Sequence, residues 1–421
     1  MSSRIAIIGA GYVGLPLATA FAEAGRSVHL VDVDEAKVSA IRRGESYIED
    51  VPAEQLAGLS SAGRLTAGTD FSEIAGCDAI LICVPTPLSA NREPDLSILE
   101  SATRAIAPHL RAGHLVVLES TSYPGTTREI VRPILEAGGL VAGRDFNLAM
   151  SPERIDPGRT DFTVKTTPKI VGGLTPACAE RALELYGACI ETLVPVSSCD
   201  AAELTKLLEN IFRSVNIALV NELAMLCERM DLDVWEVVDA AATKPYGFMR
   251  FSPGPGLGGH CLPVDPFYLS WRARQYDFQT EFIELAGKVN QQMPYHCAER
   301  VTQALNGHRK PVAGSNVLVL GVSYKSDVGD LRESPALRLI ELLHASGAKI
   351  SYHDPHVPSL RTGGLELQSQ ELTDEALQNA DIVCVVTAHR AVDHERVARL
   401  APLVMDFRNV VPRTGDKVVT L

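Results

Sequence analysis

The segment Arg4–Asp32 reads RIAIIGAGYVGLPLATAFAEAGRSVHLVD, and it decides the fold of the first part of the chain. It begins with a short apolar run, Arg4–Ile8, which is typical of a strand buried on both faces of a parallel sheet. A glycine-rich turn and a helical stretch to Ala24 follow, with Gly25 placed to end the helix and a second strand at Ser27–Val31. A strand, a helix and a strand in this order predict a βαβ unit.

The turn of this unit has the spacing Gly-x-Gly-x-x-Gly, formed by Gly9, Gly11 and Gly14. The first glycine permits the tight bend, the second lets the backbone approach a pyrophosphate, and the third lets the helix pack on the strand. Asp32 ends the second strand, where a carboxylate accepts hydrogen bonds from ribose hydroxyls and repels a 2′-phosphate. No arginine stands in Val33-Asp34-Glu35, so the sequence predicts NAD rather than NADP. A glycine turn that holds no cofactor is the alternative.

Strands and helices alternate beyond this unit, which predicts a doubly wound α/β domain. Further strands are predicted at Ala79–Val84, Leu115–Glu119 and Phe146–Met150. From Ala201 to Met230 the chain holds neither glycine nor proline and carries apolar residues at helical spacing. We therefore predict one long helix that bridges domains and forms a dimer seam, within a helical region that continues to about Leu305.

The opening pattern returns after a linker predicted at Asn306–Ser315. The elements predicted there are a strand at Val317–Leu320 ending at Gly321, a helix from Ser334 and Pro335 to His344, and, after Gly347, a strand at Lys349–His353 ending at Asp354. Only Gly321 remains of the glycine pattern, so this domain is expected to bind something other than a dinucleotide pyrophosphate in the usual manner. The expected fold class is α/β, with two Rossmann-like doubly wound domains, at 1–198 and 312–421, joined by a central helical dimerisation region at 199–305.

Charge and composition exclude several classes of protein. The formal net charge is −13 at pH 7, which opposes binding to nucleic acids. No apolar run is long enough to span a bilayer, and the N-terminal residues lack the features of a secretory signal. We therefore expect neither a transmembrane segment nor a signal peptide. The nine cysteines are an odd number without metal-ligand spacing, and we expect reduced thiols, a cytoplasmic location and no metal site.

One cysteine lies in a loop of unusual composition. The segment Phe251–Pro266 reads FSPGPGLGGHCLPVDP, and its four glycines and three prolines before Asp265 exclude a helix or a central strand. Such a loop lets backbone amides approach a ligand and leaves Cys261 accessible as a candidate nucleophile, with Asp265 as a candidate base or orienting group. From composition alone, a structural role for Cys261 stays open.

An NAD site combined with a nucleophilic cysteine indicates a specific chemistry. Oxidation of an alcohol to an aldehyde needs a base and a hydride acceptor but no thiol. A thiol is needed for further oxidation, because it adds to the carbonyl to give a thiohemiacetal, which becomes a thioester that water hydrolyses. This chemistry predicts two NADH per substrate. Two rivals are a two-electron hydroxyacid dehydrogenase, which has no use for Cys261, and a non-catalytic NAD sensor.

Short motifs are spread along the whole chain in a fixed order. They are Gly9–Gly14, Pro85-Thr86-Pro87, Ser120-Thr121, Ser151-Pro152-Glu153-Arg154, Glu203–Asn210, Gly258–Asp265 and Tyr324–Glu333. Together they resemble the UDP-glucose/GDP-mannose dehydrogenase family. The resemblance implies an NAD domain, a central helical region that forms a homodimer or higher homo-oligomer, and a C-terminal domain that binds the nucleotide of a UDP-sugar. It implies oxidation of the sugar C6 hydroxymethyl to a carboxylate.

The resemblance implies catalytic roles for residues on the long helix and in the cysteine loop. Cys261 resembles the family nucleophile, and Lys206 and Asn210 resemble the pair that stabilises the oxyanion and holds the sugar. Asp265 resembles the aspartate that works with this lysine on proton transfers and on the hydrolytic water. Lys206 and Asn210 lie one helical turn apart and so share a face. Without the resemblance, such a pair is usually interpreted as a solvated helix face, with an inward-facing ammonium in the leucine-rich stretch as the alternative.

Two further catalytic roles are implied in the first domain. Glu153 resembles a glutamate that assists acid–base steps and thioester hydrolysis. Thr121 resembles a threonine that positions water or the nicotinamide at the end of a strand. By sequence alone, these two would be interpreted as turn and cap residues.

The resemblance also implies two sets of binding residues. The cofactor set comprises Gly9, Gly11, Tyr12, Val13, Gly14, Asp32, Lys37, Pro85, Thr86, Ser120, Thr121 and Arg332. The substrate set comprises Glu153, Arg154, Lys206, Asn210, Arg250, Phe251, Ser252, Pro253, Gly254, Gly258 and Lys325. Without the resemblance, Lys37 would be an exposed helix lysine and 325–333 a solvated, charged loop.

One departure from the family pattern bears on the substrate. Pro157 stands where members that act on UDP-glucose carry a second glutamate. Together with Tyr47-Ile48-Glu49 and the His-Cys-Leu-Pro run, it favours the branch that acts on UDP-N-acetylhexosamines, with the UDP-N-acetylglucosamine 6-dehydrogenases as the nearest resemblance. UDP-glucose, oxidised by the same mechanism, is the alternative substrate.

Overall fold

The computed structural model describes residues 4–48, 50–89, 91–155, 161–259, 261–413 and 415–421. Its strands are β1 (Arg4–Ile8), β2 (Ser27–Val31), β3 (Leu65–Gly68), β4 (Ala79–Ile82), β5 (Leu115–Leu118), β6 (Asn147–Met150), β7 (Lys169–Gly173), β8 (Leu193–Val196), β9 (Asn316–Leu320), β10 (Lys349–His353), β11 (Ser359–Thr362), β12 (Leu365–Gln368), β13 (Ile382–Val385), β14 (Val404–Asp406) and β15 (Val418–Thr420). Its α-helices are α1 (Gly14–Glu23), α2 (Glu35–Arg43), α3 (Ala53–Ser61), α4 (Ser97–Ile106), α5 (Arg132–Glu136), α6 (Pro176–Tyr186), α7 (Cys199–Arg229), α8 (Val234–Ala242), α9 (Asp265–Arg274), α10 (Glu281–Gly307), α11 (Pro335–Ala345), α12 (Asp374–Asn379) and α13 (His394–Leu400).

The chain divides into two compact units. The first comprises Met1–Glu209 and Phe267–Phe278, and the second comprises Asn210–Pro266 and Gln279–Leu421. Helix α7 begins in the first unit and ends in the second. The three-part division at 198/199 and 305/312 stays a prediction.

The first unit contains an eight-stranded sheet in the order β3-β2-β1-β4-β5-β6-β7-β8. Neighbouring strands are parallel except β6 and β7, which are antiparallel. The core contains apolar side chains from the central strands, among them Ile5, Ile7, Leu30, Leu81 and Val117. The strand order reverses between β1 and β4, and sheets of this kind bind ligands at the carboxyl ends of the strands at such a point.

The second unit contains a five-stranded parallel sheet in the order β10-β9-β13-β14-β15 and the antiparallel hairpin β11–β12. Its core joins α10 and α11 to the sheet through Met293, Val301, Val319, Leu339 and Met405. The prediction of two Rossmann-like sheets and a long central helix is therefore confirmed.

The two sheets share a glycine at the end of their first strand. Gly9 has φ +99° and Gly321 has φ +77°, a region that favours glycine. A Cβ on Gly9 would lie 2.6 Å from the Cys83 carbonyl oxygen, and one on Gly321 would lie 2.1 Å from the Thr387 carbonyl oxygen. Both turns therefore require glycine, because the chain passes directly against a neighbouring strand end.

The aspartates that end the second strand of each sheet differ in their partners. Asp32 accepts a hydrogen bond from the Ala10 amide at 2.7 Å, and Asp354 accepts one from the Val322 amide at 2.7 Å. Asp354 also accepts from Nε2 of the buried His389 at 3.0 Å. The Asp354 carboxylate therefore accepts hydrogen bonds from groups inside its own domain. This agrees with the expectation that the second domain does not bind a dinucleotide in the usual manner.

Several predicted boundaries need correction. Strand β4 ends at Ile82 rather than Val84, because the chain turns towards Pro85, which has no amide to donate to the ladder. Strand β5 ends at Leu118 rather than Glu119, whose side chain turns inward to Lys169. Helix α10 runs to Gly307, so the linker begins two residues later than predicted and covers 308–315.

Helix α7, with 31 residues, presents two apolar faces. The sequence pattern places four residues among the apolar positions of the helix. Two of them, Leu207 and Ile211, are buried, whereas Leu204 and Leu208 are exposed. Leu219 and others further along are exposed as well. No helix in the described ranges combines the length and apolar character needed to cross a bilayer.

Candidate active site

The glycine turn after β1 leaves space for a ligand. A Cβ on Gly14 would lie 1.8 Å from the Gly9 carbonyl oxygen, so α1 packs directly on the turn. A Cβ on Gly11 would meet nothing within 4 Å, so the backbone borders open space there. Within the described ranges, no side chain caps α1 at its N-cap residue Val13. Uncapped helix amides beside an open glycine fit the pyrophosphate of NAD.

Asp32 has the position expected for a ribose ligand. Its carboxylate accepts from the amides of Ala10 at 2.7 Å and Asp34 at 2.9 Å, and Lys37 Nζ lies 3.8 Å from Oδ2. Tyr47 Oη donates to the Ala10 carbonyl at 2.7 Å, which ties the turn to the segment after α2. A carboxylate has about four lone-pair sites, so acceptor capacity remains for ribose hydroxyls.

The other first-unit residues of the cofactor set follow two adjacent parallel strands. Pro85 and Thr86 follow β4, and Ser120 and Thr121 follow β5. Thr86 Oγ1 donates to the Thr121 carbonyl at 2.7 Å, and Ser120 Oγ donates to the Val84 carbonyl at 2.7 Å. The glycine turn and these residues therefore share the carboxyl edge of one sheet, at its point of strand-order reversal.

Glu153 follows β6, and both of its carboxylate oxygens have partners. Oε1 accepts from the amides of Arg154 at 2.7 Å and Ile155 at 2.8 Å, and Lys169 Nζ lies 3.6 Å from Oε2. Burial alone would raise the pKa of Glu153, but the Lys169 ammonium, these amides and the Lys206 ammonium together hold it below its ordinary value. Glu153 is therefore ionised and oriented rather than a simple turn residue.

The helix face that carries Lys206 is not solvated. Lys206 is 7% exposed and Asn210 is 4% exposed, so the interpretation of a solvated pair is wrong. Arg154, expected near phosphates or a sugar hydroxyl, is paired with Glu209 (Nη2 to Oε1, 2.5 Å) and donates to the Pro168 carbonyl at 2.6 Å.

In the second unit, Cys261 lies in the turn that precedes α9. Its carbonyl accepts from the amides of Val264 at 3.1 Å and Asp265 at 2.8 Å. Asp265 is buried and accepts a hydrogen bond from Asn210 Nδ2. Cys261 is exposed, whereas the other eight cysteines are buried. The structure thus brings together Asn210, Asp265 and the backbone of Cys261.

The start of the cysteine loop is held by side-chain contacts. Arg250 Nε lies 2.8 Å from Asp239 Oδ1, and Arg250 Nη1 donates to Ser252 Oγ at 2.7 Å. The ring of Phe251 lies edge-on to that of Phe212, with centroids 5.8 Å apart. These contacts connect the loop to α7 and α8.

The middle of the loop is anchored by two buried amides. The Gly254 amide donates to Asn221 Oδ1 at 2.9 Å, and Asn221 Nδ2 donates to Asn290 Oδ1 at 3.0 Å. A Cβ on Gly254 would lie 2.6 Å from Arg408 Nη1, so the guanidinium lies close against the backbone between Pro253 and Pro255.

The end of the loop lies on the C-terminal domain. The Gly259 amide donates to the Arg332 carbonyl at 2.9 Å. A Cβ on Gly258 would lie 2.6 Å from Tyr324 Cβ, and the residue after that tyrosine is Lys325. The cysteine loop and the 324–333 segment are therefore neighbours. The Arg332 guanidinium is paired with Asp330 at 2.5 Å, and its contact with the cofactor stays a prediction.

Some predicted features lie outside the described residues. They are Pro157, at the position of the family's second glutamate, Glu49 in the Tyr47-Ile48-Glu49 segment, and His260 beside the cysteine.

Sequence reasoning missed a buried cluster behind Glu153. Glu119, Lys169 and Tyr186 meet in the interior of the first unit. The signal in the sequence was a charged residue directly after one apolar strand, Glu119, and another at the start of a second apolar strand, Lys169. The role of Glu203 within its motif was not predicted either. Its carboxylate accepts hydrogen bonds from the amides of Gly125 and Thr127, at 2.6 and 2.8 Å, and burial raises its pKa to about 7.

One group of metal-ligand types occurs in the second unit. Potential ligand atoms of Asp327, His356 and His389 lie within 4.8 Å of one another. Nδ1 of His389 accepts from the Asp327 amide at 3.0 Å, while Nε2 donates to Asp354. A metal ion would have to displace one of these bonds, so the contacts favour a structural role.

Family models match the chain in three consecutive segments. They are those of the UDP-glucose/GDP-mannose dehydrogenase family: the NAD binding domain at 3–190, the central domain at 200–292 and the UDP binding domain at 318–413. The chain belongs to this family. It is accordingly an NAD-dependent nucleotide-sugar dehydrogenase, and NAD is its cofactor.

Relatives within the family match over nearly their whole length. An NDP-N-acetyl-D-galactosaminuronic acid dehydrogenase from Ralstonia nicotianae is 36% identical, over 98% of this chain and 95% of the relative. A UDP-N-acetyl-D-mannosamine dehydrogenase from Escherichia coli K12 is 37% identical, over 92% and 94%. The solved structure of the UDP-N-acetyl-D-mannosamine dehydrogenase from Pyrococcus horikoshii has a TM-score of 0.90 at 32% identity, covering 99% of this chain and 98% of that one.

Proposed function

We propose that this dehydrogenase oxidises the C6 hydroxymethyl of a UDP-N-acetylhexosamine to the carboxylate, a four-electron reaction with Cys261 as the covalent catalyst. The acetylated sugar is inferred from the relatives, whose names specify N-acetylmannosamine or N-acetylgalactosaminuronic acid. The observation that carries the mechanism is the setting of Cys261. It is the exposed cysteine, and it lies one helical turn from a buried aspartate already bonded to Asn210.

The first half of the reaction converts the alcohol to an aldehyde. Bound NAD supplies the hydride acceptor, once for each two-electron step. Gly11 and the N terminus of α1 would hold its pyrophosphate, and Asp32 would hold the adenosine ribose. Lys206 and Asn210 orient the C6 oxygen, and the Lys206 ammonium stabilises negative charge there because it is shielded from bulk water.

The second half uses the thiol. Cys261 Sγ bonds to the aldehyde carbon, and after the second oxidation the sugar is a thioester on Cys261. Water then attacks the thioester carbon, the carbon–sulfur bond breaks and the thiol is regenerated. Asp265 and Glu153 accept the protons released when the alcohol and then the thiohemiacetal are oxidised and when water attacks the thioester, and Thr121 positions the water or the nicotinamide.

The same proposal covers the assembly and the substrate set. A homodimer or higher homo-oligomer forms through α7. The UDP moiety binds the C-terminal domain, with Lys325 among its contacts, and 250–254 contacts the sugar. Because Arg154 is already paired with Glu209, its contact with substrate requires that pair to rearrange.

NADH stoichiometry tests the reaction class. With limiting UDP-N-acetylmannosamine and excess NAD, we expect two NADH per sugar consumed and a uronic acid product, measured by absorbance and mass spectrometry. One NADH per sugar, with an aldehyde or ketone product, would refute the four-electron mechanism. NAD binding without turnover of any sugar nucleotide would instead support the sensor.

Replacement of the thiol tests the covalent step. Cys261→Ser should reduce acid formation by more than about 10³-fold while leaving the Kd for NAD nearly unchanged, because the thiol is not part of the cofactor set. Cys227→Ser, which changes a buried cysteine on α7, serves as the control for a general effect of losing a thiol. Full turnover by Cys261→Ser would remove this cysteine from the mechanism.

A substrate panel identifies the sugar. UDP-N-acetylglucosamine, UDP-N-acetylmannosamine, UDP-N-acetylgalactosamine, UDP-glucose and GDP-mannose are compared by kcat/KM at fixed NAD. An N-acetylated UDP-sugar should have the highest value. A preference for UDP-glucose would contradict the assignment to this branch while leaving the reaction class intact.

A further inference from the structure

A buried group of charges lies behind Glu153 in the first unit. Lys169 Nζ donates to Glu119 Oε2 at 2.7 Å, and Tyr186 Oη donates to the other oxygen of Glu119. The side chains of Lys169 and Glu119 are 5% and 0% exposed, and the Lys169 ammonium also lies 5.1 Å from the centroid of the Tyr186 ring. The three side chains come from β7, from the residue after β5 and from the end of α6.

Lys169 is shared between two carboxylates. Besides its bond to Glu119, its Nζ lies 3.6 Å from Glu153 Oε2. The amides of Arg154 and Ile155 fix the opposite oxygen, so Oε2 has a defined direction towards the ammonium. A lysine that served only to neutralise Glu119 would not require this second carboxylate within ion-pair distance.

We propose that Lys169, held in place by Glu119 and Tyr186, is the positioning residue that keeps Glu153 ionised and aligned as a base. This inference rests on the proposed function for the role of Glu153 in turnover, whereas the hold of Lys169 on Glu153 follows from the contacts. Lys169 acts through Glu153 and is not assigned a contact with substrate.

The charges around Glu153 give the direction of each effect. In the described part of the unit, the groups that face it are Lys169 on β7, Glu119 after β5, Cys83 after β4 and Lys206 on α7. Burial raises the pKa of Glu119 to about 7, because one ammonium cannot fully compensate two buried carboxylates. Glu153, which also has two amide donors, is the carboxylate that stays ionised.

Two substitutions separate the effect of Lys169 on Glu153 from that of Glu119. In Glu119→Gln, the amide oxygen can still accept from Lys169 and the amide nitrogen can donate to Tyr186, so the packing is retained. Because the pKa of Glu119 is about 7, its carboxyl is already neutral at the lower pH where Glu153 titrates, so this substitution should leave the Glu153 titration nearly unchanged. Adding Lys169→Met to Glu119→Gln removes the ammonium without leaving Glu119 charged, and Glu153 should then titrate at a pH higher by at least about one unit.

The primary measurement needs no turnover. The full chain is labelled with ¹³C at glutamate side-chain carboxyls, the Glu153 resonance is assigned by its loss in Glu153→Gln, and its titration is followed by NMR in each variant. Lys165→Met, which removes an exposed lysine of the same segment, is the matched control and should leave the Glu153 titration unchanged. A Glu153 titration in the double variant that matches the one in Glu119→Gln would overturn the proposal.

The pH profile of kcat/KM is the second measurement. If Glu153 is the base, the acidic limb should stay near its wild-type position in Glu119→Gln and move to higher pH in the double variant, which a merely structural cluster would not produce. If the NMR titration moves and the acidic limb does not, the hold of Lys169 on Glu153 is supported and the catalytic role of Glu153 is refuted. Should the double variant fail to fold, Lys169→Gln in the Glu119→Gln background, which keeps a hydrogen-bond donor in place of the ammonium, should raise the pH at which Glu153 titrates, and an unchanged titration there would overturn the proposal.

Discussion

At the scale of single residues, chemistry depends on which of several identical side chains has the right surroundings. Nine cysteines are present, and eight are buried. The glycine and proline content around Cys261 makes it a candidate nucleophile from the sequence, because such a loop can be neither a helix nor a central strand, but composition alone leaves a structural role open. The burial of Lys206 and Asn210 could not be predicted in this way, because it depends on elements distant in sequence.

The two strand-ending aspartates illustrate the same point. The sequence gives Asp32 and Asp354 the same local context, a glycine, a strand and an acidic residue. Only the fold places the buried His389 against one of them. Asp32 keeps acceptor capacity for a ligand, whereas Asp354 stabilises its own domain.

Asp354 should make the stability of the second unit depend on pH. Burial alone would raise its pKa, but hydrogen bonds from His389 and from the amides of Val322 and His356 lower it. A lowered pKa means that the stabilisation is present above the ordinary titration range of an aspartate and is lost as pH falls through the folded-state value. Asp354→Asn should therefore lower the free energy of unfolding by about 1–3 kcal/mol at pH 7, with a smaller difference in acid.

Tryptophan fluorescence can report this effect. Of the two tryptophans, Trp271 lies in the first unit and Trp235 in the second, so a Trp271→Phe background leaves Trp235 as the reporter. Urea unfolding is compared between pH 3.5 and 7 for Asp354→Asn and for the exposed control Asp374→Asn. A difference that is constant over this pH range would contradict the assignment.

At the scale of elements, the predicted ends of strands and helices lie within two residues of the observed ends, whereas the contacts between elements cannot be predicted from local signals. Strands β1, β2 and β10 have the predicted bounds, because alternation of apolar runs with glycine is a local property. Lys169 and Glu119 are fifty positions apart and meet because their strands lie in one sheet. No periodicity encodes such a pair.

The cysteine loop shows how an irregular segment acquires a fixed path. Pro294 lies inside α10 and lacks an amide, which removes the usual helical donor to the Asn290 carbonyl. A Cβ on Gly256 would lie 3.1 Å from that carbonyl oxygen, so the loop passes directly over it. The Asn290 side chain in turn holds Asn221, which accepts from the loop amide of Gly254.

Removal of Asn221 should loosen this loop. Asn221→Ala leaves the Gly254 amide and the side-chain oxygen of Asn290 without their partner. This loss should lower the free energy of unfolding by about 1–3 kcal/mol. We also expect the KM for the sugar nucleotide to rise more than the KM for NAD, because the loop belongs to the substrate set. Asn216→Ala, which removes a bond to the Phe212 carbonyl on the exposed side of α7, is the control. Equal changes in both KM values would argue against a role specific to the sugar loop.

At the scale of the whole molecule, the exposed stripe on α7 requires an explanation. In the second unit, the apolar side chains of this stripe are Phe212, Leu219, Leu223 and Leu226 on α7 and Met230 directly after it, which are 38–57% exposed. Their spacing of seven, four, three and four residues places them on one side of the helix. Contiguous apolar surface of this kind marks an interaction site on a soluble protein, and a second copy of the same helix presents a matching surface.

The stripe should therefore set the oligomeric state. We expect the wild-type chain to be a dimer or a higher oligomer by light scattering, and Leu219→Glu with Leu226→Glu to dissociate it, because four buried carboxylates would face one another across a two-fold interface. Arg213→Gln with Arg229→Gln changes the net charge by the same amount on exposed positions beside the stripe, so it controls for charge alone and should remain associated. The melting temperature of the wild type should rise with protein concentration, and that of the glutamate variant should not. A monomeric wild type would leave the apolar stripe without a partner copy. A glutamate variant that stays associated would place the interface elsewhere.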